Sequence, residues 1–317
     1  MSGPLESMRS RLRRSRSWTT LRRIQREGPL NAWKRWRMWS RILDTAPVVT
    51  APIGPQSRAE VHLLCSYRDY LCGIWALKSF YHFAGVSYPL VIHIQGGIAD
   101  RALSRLRRHF PNARLVRQAE ADGIVEEYLS SRGLTRLLNA RRTSPFMMKL
   151  TDFPILSESE YMLTLDSDVL FFSRPSELLS WPGSATAQAL FQRDVASAYN
   201  ISEAEAEANF GIRMAKAVNT GIALLLRRNL DLSRCEQFLA HPEVAKPTGF
   251  IEQTLHSLCA SEVGEVAYLP ESYLVCLEPV AGVDGLVARH YAGTSRRLLT
   301  AEGMPALLRK WAQETNG

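Results

Sequence analysis

The chain has 317 residues, 46% hydrophobic and 22% charged, a composition that excludes disorder of the whole and suits a folded domain of enzyme size or two smaller ones. The formal net charge of +8 is unevenly placed, because Met1 to Asp44 holds 12 Lys and Arg against 3 acids. The rest is close to neutral, so the basic character belongs to the amino-terminal segment and does not mark the body as a nucleic-acid binder.

Residues 9–43 combine these arginines with Trp18, Trp33, Trp36 and Trp39. Wound as a helix at about 100° per residue, Trp33 to Leu43 places Trp33, Trp36, Trp39, Ile42 and Leu43 on one half. Lys34, Arg37 and Arg41 fall on the other, with Arg35 the exception. Such a helix suits an anionic membrane surface, rings in the interface and bases toward phosphate headgroups; tryptophans packed on the body, or a disordered arm, are the alternatives. The Arg13-Arg14 and Arg22-Arg23 pairs precede no apolar h-region, and no run of about 18 apolar residues occurs, so neither an export signal nor a membrane span is expected. Pro47 to Gln56 reads as a linker. The division is therefore a basic extension with its linker over 1–57 and a body over 58–317.

The five cysteines are odd in number, include no Cys-x-x-Cys pair and sit mostly among apolar neighbours. Buried free thiols in a reducing, cytoplasmic setting are expected, and no ligand spacing supports a zinc site with His241 or His256.

The body opens as β-α-β: a strand Val61 to Cys65, the loop Ser66 to Tyr70, a helix around Cys72 to Phe83 and a strand Leu90 to Ile94. Asp100 can cap a helix striped by Leu103, Leu106 and Phe110, and Ala113 to Val116 forms a third strand. No Gly-x-x-x-x-Gly-Lys-Ser/Thr loop and no Gly-x-Gly-x-x-Gly is present, so phosphate must be held by other means.

In mid-chain two acids, Asp166 and Asp168, interrupt an apolar run. Tyr161 to Leu165 fits a buried strand, and Val169 to Phe172 can continue it beyond the break. Carboxyl ends of strands in open α/β sheets are where ligands bind, and two carboxylates one residue apart there can approach one hard cation. The plainer alternative is that they cap the turn leading to Pro175. Farther on, Ser202 to Glu205 is a capping box opening a polar helix over the site or an acceptor cleft. Ala217 to Leu226 is a second apolar strand headed by Asn219, Thr220 and Gly221, where glycine allows close approach of a ligand and the amide and hydroxyl suit sugar hydroxyls. Thr248 to Leu258 starts a helix with Glu252 and Gln253 in its first turns, either facing the site or on a solvated face. Leu286 to Arg297 runs a short apolar segment into His290 and a basic loop with Gly293 and Arg296; the histidine is a metal ligand or a structural one.

In this order, Leu165-Asp-Ser-Asp168, Asn219-Thr-Gly221, Glu252-Gln253 and His290-x-x-Gly293-x-x-Arg296 resemble the GT-A fold glycosyltransferases, most closely the retaining family 8 type, over roughly Val61 to Arg297. The resemblance implies an α/β fold, a Rossmann-like nucleotide-sugar-binding mixed sheet flanked by helices. It implies Mn²⁺ (or Mg²⁺) on Asp166, Asp168 and His290, and a nucleotide-diphosphate sugar, UDP-linked, as donor. Asn219, Thr220 and Gly221 would meet the donor sugar, with Glu252 and Gln253 as the catalytic pair. Lys149 matches a basic position near the donor, Ser66 and Tyr67 join the donor-binding set, and Gly293 with Arg296 clamps the diphosphate. The acceptor hydroxyl would belong to a glycan, lipid or protein. The family's Asp-Gln-Asp stands here as Glu252-Gln253-Thr254, and its Lys-Pro-Trp is replaced by Arg296-Arg297, a change that keeps a phosphate-binding cation. Two other readings are a haloacid-dehalogenase-like phosphatase with Asp166 as nucleophile and a catalytically inactive membrane-surface adaptor. A histidine ligand must be neutral, so metal affinity is expected to fall as pH drops near the ordinary histidine value of about 6.5.

Overall fold

The structure, a computed structural model, describes residues 28–54, 57–184 and 189–315. Trp18 and the two arginine pairs lie outside these residues. The chain divides into two compact units, 1–45 and 46–317.

In the first unit, helix α1 (Pro29–Ser40) starts with Pro29, whose missing N–H costs nothing in a first turn, and passes into a 3₁₀ turn Arg41–Asp44. The helix buries none of its residues: Trp33 is 50% exposed and Trp36 55%. Arg37 stacks over the Trp33 ring at 5.3 Å and Arg35 over Trp39 at 5.4 Å.

In the second unit, β1 (Ala59–Ser66), α2 (Tyr70–Ala84), β2 (Leu90–Gln95), α3 (Asp100–His109) and β3 (Arg114–Arg117) form the expected β-α-β opening. Helices α4 (Gln118–Ser131), α5 (Thr135–Thr143) and α6 (Met147–Leu156) lead to β4 (Tyr161–Leu165). Then come β5 (Val169–Phe171), α7 (Ser176–Ser184), β6 (Ala189–Arg193), α8 (Glu203–Phe210), β7 (Val218–Leu226), α9 (Leu232–Phe238) and α10 (Ile251–Val263). The chain ends with β8 (Val266–Tyr268), β9 (Tyr273–Val275), β10 (Ala288–His290) and α11 (Met304–Thr315). Among the described residues no helix is long and apolar enough to cross a membrane. Val48 and Ala51, in the stretch that follows Pro47, donate their N–H groups to the His109 and Ser87 carbonyls, at 2.8 and 2.6 Å.

Seven strands pair in the order β3-β2-β1-β4-β7-β6-β8, a mixed sheet flanked by helices as the sequence leads one to expect. β3, β2, β1 and β4 are mutually parallel, and β7 runs antiparallel to both its neighbours. The start of β7 therefore meets the carboxyl ends of β4 and β6 at one edge. All nine residues of β7 are buried, the mark of a central strand covered on both faces.

Two expectations change. Val169 to Phe172 does not prolong β4: after Asp166 donates its N–H to the Gly221 carbonyl (2.8 Å) the chain turns, and β5 pairs with β10 in a second sheet ordered β5-β10-β9. Asp100 sits inside the first turn of α3 with Ala99 at the cap position and no side-chain cap bond, where it acts on the helix dipole alone. The Ser202 capping box is present as expected, and α8 is anchored by Ala206 and by Phe210, whose ring stands edge-on to Phe238.

The core includes a polar cluster on the sheet. Between β1 and β2, Glu60, His62 and His93 are all fully buried. Ser157 donates to Glu60 at 2.7 Å, His62 Nε2 lies 3.2 Å from Glu60 Oε2, and His62 Nδ1 lies 3.1 Å from His93 Nε2. Because an anionic Glu60 can only accept, His62 donates from Nε2 and accepts at Nδ1 from His93 Nε2–H, which leaves His93 Nδ1 without a partner.

Candidate metal and donor site

Four chain segments converge at the sheet edge. The Asp166 to Asp168 turn follows β4. At the same edge β7 departs from β6: Phe191 pairs with Ala223 and the next residue, Gln192, with Asn219, so Thr220 to Ile222 bulge away from that neighbour. Bulges of this sort re-aim side chains beside functional sites. The second sheet supplies the third segment, since its register sets His290 opposite Val169 and bonds the Tyr291 N–H to the Asp168 carbonyl at 2.9 Å. Helix α10 brings the fourth.

Asp166, Asp168 and His290 each offer one ligand atom, and the three atoms lie within 4.8 Å of one another. His290 Nε2 is 3.3 Å from Asp168 Oδ1 and 3.7 Å from Asp166 Oδ2. The other ring nitrogen is fixed. Asn219 Oδ1 accepts from the Gly221 N–H at 2.9 Å and contacts His290 Nδ1 at 2.8 Å, while Asn219 Nδ2 donates to Asp194 Oδ2 at 2.8 Å. An N–H can only donate, so the amide oxygen must face Gly221, and His290 must donate from Nδ1. Its Nε2 is then aimed at two carboxylates, where a proton or a cation has to sit. Burial alone would depress the His290 pKa, but Asp168 and then Asp166 outweigh it and hold the imidazole above its ordinary value. Burial likewise pushes the Asp168 carboxyl up, and His290 with Arg296 more than offsets that, leaving it low. Two oxygen donors and an imidazole whose second nitrogen is anchored fit a first-row divalent ion better than Ca²⁺.

Gly221 has a reason of its own within the protein. A Cβ there would lie 2.2 Å from His290 Nδ1 and 2.3 Å from Cε1, so the glycine makes room for the His290 ring. The close approach comes from the protein itself.

Cations balance the acids on both sides. Lys149, buried on α6, lies 3.0 Å from Asp166 Oδ1 and 3.2 Å from both the carbonyl and the hydroxyl of Thr220. Thr220 Oγ1 donates to Glu252 Oε2 at 3.0 Å. Glu252 and Gln253 are 3% and 8% exposed, so they do not lie on a solvated helix face. Burial tends to raise the Glu252 carboxyl pKa, and Lys149, His256 and Thr220 together bring it below the ordinary value. Gln253 Nε2 donates to the Ala198 carbonyl at 3.1 Å.

Gly293 takes φ +53°, a left-handed turn that glycine adopts at no cost, and Arg296 follows within one helical turn, Arg296–Leu298. Its guanidinium lies 3.0 Å from Ser167 Oγ, 3.4 Å from Asp69 Oδ2 and 3.5 Å from Asp168 Oδ2. Ser66 stands at the end of β1 with its N–H and hydroxyl on Asp69 Oδ1, at 2.6 and 2.9 Å, and so fixes the carboxylate that holds Arg296. Tyr67 is 43% exposed and stacks beside Tyr70.

Sequence reasoning passed over Asp69, Ser167 and Asp194. Each acts through a partner far away in the chain, which periodicity does not reveal; the Ser66-x-x-Asp69 spacing, typical of a side chain closing its own turn, was the one local signal.

No protein-family model matches the chain, and no curated protein matches it by sequence. Solved structures with a similar arrangement include mouse xyloside xylosyltransferase 1, 11% identical, covering 78% of this chain and 99% of that one with a TM-score of 0.49. Another is the galactosyltransferase LgtC in complex with donor and acceptor sugar analogues, 15% identical, covering 80% of this chain and 95% of that one with a TM-score of 0.49. A third is core-mannan synthase A from Aspergillus fumigatus in its Mn/GDP form, 11% identical, covering 72% of this chain and 77% of that one with a TM-score of 0.45. At such identities the reaction has to be argued from this chain's own residues.

Proposed function

We propose that this chain is a metal-dependent glycosyltransferase of the GT-A type, moving a sugar with retention from a nucleotide-diphosphate sugar, UDP-linked, to a hydroxyl of a glycan, lipid or protein. The observation that carries it is the Asp166, Asp168 and His290 cluster with Arg296 on one flank and the Lys149, Thr220 and Glu252 chain on the other. A divalent ion on the three ligands, Mn²⁺ by their chemistry, would supply Lewis-acid stabilisation of the diphosphate.

The chain's own groups do the rest. Arg296, held in place by Asp69 and Ser167, supplies counter-charge where the leaving diphosphate gains negative charge. Glu252, kept anionic by Lys149 and Thr220, faces the positive character that develops on the sugar ring as its bond to phosphate lengthens. Lys149 ties the two halves together by touching both Asp166 and Thr220. Gln253 and the Asn219 to Gly221 segment border the donor sugar, and Ser66 with Tyr67 border the nucleotide.

Donor affinity should therefore depend on metal. Titrating a UDP-sugar with Mn²⁺ and again after chelation should show binding lost on chelation, because Asp166 and Asp168 then repel the diphosphate. Equal affinity without metal would sink the reading. The affinity for Mn²⁺ should decline as pH falls, with the step above the ordinary histidine value, since the carboxylates hold a proton on His290 that the ion has to displace.

The contact with an anionic membrane is proposed through residues 9–43, on the exposure of Trp33 and Trp36 beside the basic face of α1. Replacing both rings by serine should weaken binding to vesicles rich in anionic lipid by about tenfold or more. Unchanged vesicle binding would remove the arm from that role. A cytoplasmic setting is proposed on the cysteine pattern of the sequence, an odd number with no Cys-x-x-Cys pair.

A further inference from the structure

His256 lies one turn beyond Glu252 on α10, both residues are nearly fully buried, and the foregoing reading leaves the histidine unused. Its Nε2 lies 3.1 Å from Glu252 Oε1. The two oxygens of this carboxylate are not equivalent. Oε2 receives the Thr220 hydroxyl, whereas Oε1 is buried without an aligned hydrogen bond, its nearest neighbours being His256 Nε2 and, at 3.7 Å, the Lys149 ammonium. Oε1 is therefore turned inward, with His256 Nε2 the group nearest to it.

The tautomer of His256 follows from what surrounds it. Nδ1 is buried with no partner, and the wall beside the ring is the edge-on Phe191 at 6.5 Å between centroids. A proton on Nδ1 would be buried unpaired and would also point the Nε2 lone pair at a carboxylate, so two penalties fall on that form. A proton on Nε2 removes both. We propose that His256 is a positioning residue of the transfer reaction: its Nε2–H backs the inward Glu252 Oε1 and holds the carboxylate, whose Oε2 receives the Thr220 hydroxyl, in place beside the donor sugar. This rests on the glycosyltransferase reading and extends it to a residue that touches neither donor nor metal. By analogy with the partners that orient metal ligands, such a supporting contact is worth roughly 10–100-fold in activity.

The test uses the full chain with Mn²⁺ and a UDP-sugar that it turns over. His256→Leu should lower kcat by roughly 10–100-fold, with KM for the donor and the Mn²⁺ affinity little changed, because the metal cluster is untouched. His256→Gln, whose side-chain amide can place an N–H near the same carboxylate, should recover much of the loss. In a Glu252→Gln background, His256→Leu should cost almost nothing more. Circular dichroism and thermal melting confirm that each variant is folded. A folded His256→Leu with wild-type kcat overturns the proposal, as does a Gln variant no better than Leu, or an undiminished effect in the Glu252→Gln background. A wild-type chain that binds Mn²⁺ but transfers no sugar from any nucleotide donor overturns the function itself, and the role of His256 with it.

Discussion

Gly221→Ala should abolish most metal binding, and with it activity, while leaving the fold in place. One added methyl group is enough. Its carbon would stand 2.2 Å from His290 Nδ1 and 2.9 Å from Asn219 Oδ1, well inside van der Waals contact. The ring has nowhere inexpensive to go, because Asn219 bonds it at Nδ1 and the pairing of β10 with β5 fixes its backbone. Gly221 is absent from the residues with positive φ, so alanine fits the backbone and the effect is purely of side-chain space. Losing an imidazole ligand's position should weaken Mn²⁺ by roughly 100-fold or more, judging from the 10–100-fold that follows loss of a supporting partner alone. Mn²⁺ affinity by calorimetry is the measurement. His290→Ala should lose a similar amount, and the double variant should be little worse than either single one, since both remove the same contact. Wild-type Mn²⁺ affinity in Gly221→Ala would show that His290 is not a ligand.

The second large effect lies in the core and concerns acid. Burial pushes the imidazoles of both His62 and His93 below the ordinary 6.5, His93 the further, with His62 and Arg114 adding to the shift on His93. On His62 burial is opposed by Glu60 and reinforced by Arg114. Folded, the pair stays neutral; unfolded, both rings take protons from about pH 6.5 downward. The pair's contribution to stability is thus complete above that pH and declines below it, by up to about 1.4 kcal/mol per pH unit for each ring until its folded pKa is reached, while His290, whose pKa is raised, contributes in the opposite direction. His109, brought down to about 4 by burial and then by Lys78, Arg108 and Arg105, tilts the curve in the same direction. Urea unfolding between pH 7.5 and 5 should show the decline, and His93→Gln, which can still donate to His62 Nδ1, should flatten it by about one proton. A curve equally steep in that variant would mean that His93 is not among the groups that titrate.

How much of this could be read from the residues depends on where the information sits. The strands around Asp166 and at Asn219 were legible because their apolar runs are continuous, and His290 because a short apolar segment delivers it. The role of Gly221 was not, since the histidine that needs its missing side chain lies about 70 positions on. Glu252 could be placed at a helix start, but not beneath a lysine from α6 by way of a threonine from β7. The departure of β5 into a second sheet was hidden for a similar reason. Its partner, β10, lies near the other end of the chain, and three residues carry no periodic signal of their own.

That pairing also sets an order of events during synthesis. Val169 meets His290 only after about 120 further residues have been made. Six of the seven strands of the main sheet can leave the ribosome before His290 is made, so a nascent chain holds the two carboxylates at its sheet edge without it. Lys149, already emerged, is the cation on hand to neutralise Asp166 in that interval. Contacts so distant in sequence form late and slowly. Competence to hold an ion should accordingly arrive at the last stage of folding, with the closing of the small sheet, and trail the burial of the core.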